Sequence, residues 1–117
     1  MPGISIHVVD VSRGVVATGM RVELFAMSGA APRLIASGVI SKTGVLADAA
    51  LDRTFEAGFY EARFHVADYY REAIGAASAV PFLDVASYRF GLADPAAHYH
   101  LPMKCTPWGY SCFRGGA

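Results

Sequence analysis

Three histidines are the residues of this sequence best suited to chemistry. His98 and His100 lie two positions apart in a segment typical of a β-strand, so their side chains point to the same face, and His7 lies in a second such segment. An imidazole titrates near neutral pH and can act as a general acid or base. The same side chains could instead be hydrogen-bonded structural residues or zinc ligands, with Asp10 as the nearby carboxylate. Residue types alone leave these roles open and favour the metal site least.

The two cysteines are predicted to be packing residues. Cys105 lies five positions after His100, and Cys112 lies one after Ser111, so in regular strands each points to the opposite face from that neighbour. A cysteine nucleophile would need to share a face with a histidine base. The sequence also has no phosphate-binding glycine loop, no His-Glu-x-x-His segment and no nucleophile elbow. Both thiols are therefore expected to be reduced and buried as small apolar groups.

Length and composition predict one domain, residues 1–117, that binds neither nucleic acid nor a membrane. Ten basic and ten acidic residues cancel, which leaves no basic stripe for phosphates. No apolar run approaches the roughly 20 residues that span a bilayer, and no signal peptide is recognisable, so we expect a cytoplasmic protein. Hydrophobic residues make up 54% of the chain and charged residues 17%. This apolar balance favours an oligomer, whose interfaces cover exposed apolar surface.

The elements that must position the histidines are short β-strands. Alternating or β-branched segments predict strands over residues 4–9, 21–25, 34–40, 59–66, 85–92, 98–105 and 110–114. One helix is predicted from Ala67 to Ile74, with Gly75 as its C-cap. Turns are predicted at Arg13-Gly14 and at residues 41–44 and 106–109. Seven or eight strands with one helix predict an all-β sandwich.

Three motifs, in order along the chain, resemble the transthyretin and 5-hydroxyisourate hydrolase family. The first is Ile4-Ser5-Ile6-His7-Val8-Val9-Asp10 with Arg13-Gly14, and the second is Phe55-Glu56-Ala57-Gly58-Phe59-Tyr60-Glu61 with Ala93-Asp94-Pro95. The third is His98-Tyr99-His100-Leu101-Pro102, then Thr106-Pro107-Trp108-Gly109-Tyr110-Ser111, then Phe113-Arg114-Gly115. The third motif is similar to the C-terminal signature of the hydrolases, which runs His-Tyr-His-x-Pro, Ser-Pro-x-x-Tyr-Ser and Tyr-Arg-Gly-Ser. The resemblance covers about the whole chain.

This resemblance implies a fold and an activity. The fold is a transthyretin-like antiparallel β-sandwich of two sheets with one short helix. It assembles as a homotetramer, a dimer of dimers, around a channel lined by the first strand and the last two. In the hydrolases, water opens a lactam bond of 5-hydroxyisourate, a small heterocycle of urate breakdown, and no cofactor is used; we expect no metal in this chain. The match gives His7 and His100 as the catalytic pair. The expected substrate-binding residues are His98, Val45, Lys104, Ser111, Phe113, Arg114 and Gly115.

Several positions depart from the hydrolase pattern. Val45 stands in a turn where the family has an arginine, Phe113 replaces a tyrosine, Gly116 replaces the terminal serine, and Ala117 displaces the terminal carboxylate. Strand alternation also puts Lys104 on the channel side, where the hydrolases usually keep an apolar residue, so its ammonium could replace part of the lost charge. These changes remove polar contacts. We therefore expect a less polar substrate, such as an N-methylated hydroxyisourate.

Two functions from different classes compete. The first is a cyclic-amide hydrolase of the 5-hydroxyisourate type, which the retention of both His7 and His100 favours. The second is a non-catalytic, transthyretin-like tetramer that binds a ligand, which the loss of the arginine and the terminal serine favours. The hydrolase is the preferred hypothesis, because a carrier has no use for the histidine pair and function is judged from the site.

Overall fold

The chain folds into a sandwich of two four-stranded sheets. The computed structural model describes residues 2–75 and 79–116, so Ala117 and its predicted effect on the terminal carboxylate lie outside the described residues. In chain order the strands are β1 (Gly3–Asp10), β2 (Val15–Val16), β3 (Arg21–Ala26), β4 (Arg33–Val39), β5 (Gly58–His65), β6 (Val85–Leu92), β7 (His98–Thr106) and β8 (Gly109–Cys112). A helix, α1 (Val66–Ile74), follows β5, and a 3-10 turn spans Ala49–Leu51. The strand orders are β2-β1-β7-β8 and β4-β3-β5-β6, which confirms the predicted all-β sandwich.

The hydrophobic core lies between the sheets and is built by alternating strands. Ile4, Ile6 and Val8 of β1 are buried, and so is every second residue of β7 from Tyr99 to Cys105. Buried apolar residues of β3 and β5 close the core from the other sheet. Successive side chains of a strand point to opposite faces. The alternate residues of β1 and β7, which include His7, His98 and His100, therefore lie on the outer face of the first sheet.

One strand pair departs from the predicted antiparallel arrangement. β1 and β7 run parallel, with Ser5 opposite His100 and His7 opposite Pro102, whereas the other pairs of named strands are antiparallel. Side-chain alternation has the same period in both arrangements, so it does not reveal strand direction. A parallel pair needs a long crossover, and here the crossover contains the whole second sheet.

Helix α1 confirms the predicted helix and begins one residue earlier. Val66, which the sequence pattern assigned to the preceding strand, is its first residue, and Ile74 is its last. Gly75 ends the helix with a φ of 82°, a conformation that glycine adopts most easily. Its residues Tyr69 and Tyr70 are buried against the sandwich. No helix in the described parts of the chain has the length and apolar character needed to cross a membrane.

A buried carboxylate joins α1 to the end of β1. Asp10 is 0% exposed, and its oxygens accept hydrogen bonds from the hydroxyls of Ser12 at 2.6 Å, Tyr70 at 2.7 Å and Tyr69 at 3.0 Å. Burial acts to raise the pKa of Asp10, but these donors outweigh it and hold that pKa below its ordinary value. Asp10 cannot join His7 as a metal ligand, because strand alternation points its side chain into the core.

The last predicted strand is shorter in the structure. β8 ends at Cys112, but the chain continues beside β7. Lys104 pairs with Ser111 within β8, and His100 pairs with Gly115 in an isolated bridge. Both pairs belong to one register, so the alternation of side-chain direction continues beyond the end of β8.

Candidate active site

The outer face of the first sheet gathers most of the predicted site residues, and we call it the histidine face. Side-chain alternation directs these residues away from the core, and all of them are at least partly exposed. The face comprises Ser5, His7 and Val9 of β1, His98, His100, Pro102 and Lys104 of β7, and Ser111 of β8. One surface therefore presents three imidazoles, two hydroxyls and an ammonium group.

His7 and His100 lie diagonally across the parallel β1–β7 pair. Ser5 is directly opposite His100, and His7 is opposite Pro102, so the two histidines are one diagonal step apart on the same face. Burial is the main cause that lowers the pKa of His100, and the charges of His7 and His98 lower it further. The imidazole of His100 is therefore neutral at pH 7 and can accept a proton. This is the arrangement expected of an acid–base pair.

Ser5 joins two of the histidines, and the sequence did not identify it as a site residue. Its Oγ lies 2.6 Å from Nδ1 of His100 and 2.8 Å from Nε2 of His98. A hydroxyl donates one hydrogen and also accepts, so it can bond both rings at once. The sequence did offer one indication: side chains alternate along a strand, so Ser5 shares its face with His7. Alternation along one strand does not show which residue of the next strand lies opposite, because that depends on the β1–β7 register.

The turn before Val45 holds this residue against His7. The two residues form an antiparallel bridge, so their side chains share a face, and Val45 is 37% exposed. Gly44 has a φ of 88°, and a Cβ at this position would lie 2.6 Å from Nε2 of His7. Only glycine fits so close to the ring. The apolar residue that replaces the expected arginine therefore stands directly beside one of the two proposed catalytic histidines.

Lys104 lies at the end of the histidine face that is farther from His98, and the Phe113 ring lies near it. Lys104 is exposed and lies opposite Ser111. Its Nζ is 6.0 Å from the centre of the Phe113 ring, at the outer limit of a cation–π contact. The ion pairs found among the described residues do not include Lys104. Its charge is therefore available to a carbonyl or anionic group of a ligand.

The C-terminal segment brings Gly115 to the histidine face but directs the Arg114 side chain elsewhere. Gly115 donates its N–H to the carbonyl of His100 at 2.8 Å, and a Cβ there would lie 2.9 Å from Cδ2 of the same ring. The Arg114 guanidinium stacks 4.0 Å from the centre of the Tyr99 ring and donates to the carbonyl of His98 at 3.4 Å. Neighbours in an extended segment point in opposite directions. The structure therefore does not bring the guanidinium into the group of histidines.

The cysteines lie on the core side, as expected. Cys105 is buried and Cys112 is half-buried. Burial raises the pKa of each thiol to about 11. A thiol with so high a pKa is a poor nucleophile at neutral pH, which confirms the predicted packing role. Within residues 2–75 and 79–116, no group of three or more His, Cys, Asp and Glu side chains is arranged to hold a metal ion.

An apolar groove lies on another part of the surface, away from the predicted site residues. It has a volume of about 270 Å³ and lies between α1 and the β7–β8 turn, where Ile74, Phe82 and Trp108 line it. None of the predicted site residues lines this groove. The histidine face itself is open, so a bound substrate would be shielded from water only if a second surface covered it.

Comparison with known proteins identifies one family. The model of the HIUase/Transthyretin family matches residues 4–115. The protein of Deinococcus radiodurans named 5-hydroxyisourate hydrolase is 40% identical over 115 residues, which cover 97% of this chain and 96% of that protein. The protein of Halalkalibacterium halodurans with the same name is 39% identical over 114 residues, which cover 96% of each.

Solved structures give the same result for the fold. The crystal structure of (S)-allantoin synthase matches with a TM-score of 0.87 and 32% identity over 97% of this chain. The match covers 43% of that longer chain. The 5-hydroxyisourate hydrolase of Klebsiella pneumoniae matches with a TM-score of 0.78 and 28% identity, over 99% of this chain and 100% of that one.

Proposed function

This chain belongs to the HIUase/transthyretin family, and from that premise we propose that it is a cyclic-amide hydrolase of purine breakdown that opens the lactam ring of 5-hydroxyisourate or a close analogue. The observation that carries the proposal is the shared face of His7 and His100, one diagonal step apart on neighbouring strands. The names of the relatives from Deinococcus and Halalkalibacterium support the reaction class.

The two histidines have separate roles in this reaction. His100, which is neutral because its pKa is lowered, takes a proton from water as the water oxygen attacks the lactam carbonyl. His7 then gives a proton to the ring nitrogen as the C–N bond breaks, so an N–H group and a carboxylic acid are formed, and the acid loses its proton to solvent. Solvent exchange restores both imidazoles. A positioned acid or base contributes about a hundredfold or more to the rate.

Lys104 is the proposed replacement for the missing arginine. Its ammonium projects from the histidine face four residues beyond His100 on the same strand. It forms no ion pair with a described carboxylate. A cation near the developing oxyanion lowers the energy of the transition state. An ammonium acts as a point charge, whereas a guanidinium forms paired hydrogen bonds. We therefore expect weaker orientation of the substrate than an arginine would give.

A second candidate substrate is an N-methylated hydroxyisourate. Two observations favour it: the Val45 side chain lies beside His7, and the Phe113 ring lies near Lys104 at the other end of the face. Both are apolar where the hydrolase pattern has a polar group. A methyl group packs well against such surfaces, whereas a hydrogen-bonding edge would be left without a partner.

An ultraviolet assay on freshly generated 5-hydroxyisourate tests the proposal. The purified protein should speed the loss of substrate absorbance above its spontaneous decay, in proportion to protein concentration. The matched control, His100→Ala, should return the decay almost to the spontaneous rate. Equal decay with and without protein, for both unmethylated and methylated substrates, would contradict the proposal. Calorimetric binding of these compounds without turnover would then support the non-catalytic alternative, which the retained histidine pair does not favour.

We also propose that the protein is a cytoplasmic homotetramer, a dimer of dimers. The family resemblance supports this assembly, and so do the apolar composition and the exposed Val45 and Phe113, which lie beside residues of the histidine face. Covering that face would exclude water from the substrate. Light scattering at micromolar concentration should give four times the mass of one chain. A stable monomer that is fully active would contradict the tetramer, and recovery of the protein outside the cytoplasm on fractionation would contradict the location.

A further inference from the structure

Ser5 has no role in the reaction described above, yet its hydroxyl contacts two histidine rings. Its Oγ lies 2.6 Å from Nδ1 of His100 and 2.8 Å from Nε2 of His98. The parallel pairing sets Ser5 directly opposite His100, and each is the third residue of a long strand. The hydroxyl is therefore held by the sheet itself and not by a mobile loop.

The opposite edge of the His100 ring packs closely against Gly115. Gly115 pairs with His100, and a Cβ at that glycine would lie 2.9 Å from Cδ2 of the ring. A half-turn of the imidazole would exchange the positions of Nδ1 and Cδ2, and it would break the contact with the Ser5 hydroxyl. Nδ1 is thus the nitrogen that hydrogen-bonds with Ser5, and Nε2 is the nitrogen that can contact the attacking water.

The Ser5 hydroxyl carries only one hydrogen, so its hydrogen bonds to His98 and His100 depend on each other. If Ser5 donates to Nε2 of His98, it must accept from an N–H at Nδ1 of His100, and Nε2 of His100 then carries a lone pair. If Ser5 donates to Nδ1 of His100 instead, Nε2 of that ring carries the hydrogen and cannot accept a proton. The state of the hydroxyl therefore decides whether His100 is a base.

We propose that Ser5 is a positioning residue that fixes the tautomer of His100. It accepts a hydrogen bond from the N–H at Nδ1 of His100 and donates its own hydrogen to Nε2 of His98, which leaves Nε2 of His100 as the proton acceptor. His98 takes part by supplying the acceptor for the hydroxyl. The consequence for catalysis rests on the proposed hydrolase function, but the tautomer itself does not.

Two variants of the full-length protein separate this role from simple packing. Ser5→Ala removes the hydroxyl, and Ser5→Thr keeps it in a side chain that suits a strand equally well. Nitrogen-15 NMR of histidine-labelled protein reports which ring nitrogen of His100 is protonated. Steady-state kinetics on freshly generated hydroxyisourates report kcat and KM separately. Melting temperatures of all three proteins report whether each variant is folded.

The wild type and Ser5→Thr should hold His100 as the single tautomer with hydrogen on Nδ1, and Ser5→Ala should give a mixture. Loss of an orienting partner lowers kcat by about ten- to hundredfold, with KM changed by less than about twofold because ground-state binding is untouched. His98→Phe, which removes the acceptor but keeps a ring, should cause the same tautomer mixture and serves if Ser5→Ala does not fold.

An unchanged His100 tautomer in both Ser5→Ala and His98→Phe would overturn the proposal. So would a raised KM with unchanged kcat in Ser5→Ala, because Ser5 would then be a substrate-binding residue. If the tautomer depends on Ser5 but no hydroxyisourate is hydrolysed by the wild type, the positioning of His100 is supported and the proposed function fails. The two failures are therefore distinguishable.

Discussion

Restoring an arginine at position 45 is the sharpest test of substrate choice. Val45 and His7 are a directly opposed pair, and Cβ atoms of such a pair lie about 4.5–5.5 Å apart. An arginine at position 45 could therefore extend across the His7 ring toward the space between the two proposed catalytic histidines. Val45 is 37% exposed and lies outside the core. The longer side chain should consequently fit without disturbing the fold.

The size of the effect follows from this partial exposure. A hydrogen bond from a charged donor to a substrate carbonyl contributes about 1.5–3 kcal/mol. Because more than a third of the position faces water, which competes for the guanidinium, the lower end of the range applies. About 1.5 kcal/mol corresponds to roughly a tenfold gain in kcat/KM for 5-hydroxyisourate. A methyl group facing the guanidinium would leave donors without partners and cost about 1–3 kcal/mol, so the methylated substrate should lose roughly tenfold or more.

The assay compares kcat/KM for 5-hydroxyisourate and an N-methylated analogue, each generated immediately before use. The wild type should prefer the methylated compound, and Val45→Arg should move the preference toward 5-hydroxyisourate by about a hundredfold, the product of the two effects. Val45→Leu, which adds size without charge, should keep the wild-type preference. The reasoning is refuted if the wild type prefers 5-hydroxyisourate and Val45→Arg changes neither value. In that case Lys104 already supplies the contact, and Val45 does not determine specificity.

Three further outcomes are expected. Replacing either His7 or His100 by Ala should lower kcat by about a hundredfold or more and leave the circular dichroism spectrum unchanged; full activity in both variants would rule out the acid–base assignment. Burial and the neighbouring imidazoles lower the pKa of His100, and only the neutral ring accepts a proton. The value of kcat/KM should therefore remain high below pH 6.5. A pH profile whose acidic limb has its midpoint above 6.5 would contradict His100 as the base. Asp10→Ala removes the acceptor of three hydroxyls and should lower the free energy of unfolding in urea by about 3–5 kcal/mol. Since the pKa of Asp10 is lowered, its contribution should be present at neutral pH and disappear as pH falls below about 4 through the lowered folded-state value; an unchanged urea midpoint at pH 7 would disprove it.

Alternation along single strands made much of the fold and site predictable. The spacing of His98 and His100, and the apolar residues between them, correctly predicted a strand with the imidazoles on its outer side. The same alternation of side chains correctly placed Lys104 on that face and the two cysteines away from it. Helix α1 was predictable because Gly75 ends a run of good helix formers. Each of these inferences uses only neighbours in sequence.

Contacts between strands were not predictable in the same way. Ser5 bonds the histidines of β7 because β1 runs parallel to that strand in one particular register. A shift of the register by one residue would have left the alternation of each strand intact and removed the contact. Arg114 shows the same limit, because a matching motif identifies the residue but not its direction. Its stacking on Tyr99 follows from the register beside β7, which no local pattern encodes.

The parallel pairing of β1 with β7 also determines when the histidine face can form. Ser5 and His98 are 93 positions apart, and all four strands of the second sheet lie between them in the chain. That sheet can assemble from nearer partners, whereas β1 cannot pair with β7 until β7 itself has been synthesised. Joining segments so distant carries a loop-closure cost and slows folding. The proposed acid–base pair is thus expected to form later in folding than the second sheet, whose strands pair with nearer partners in the chain.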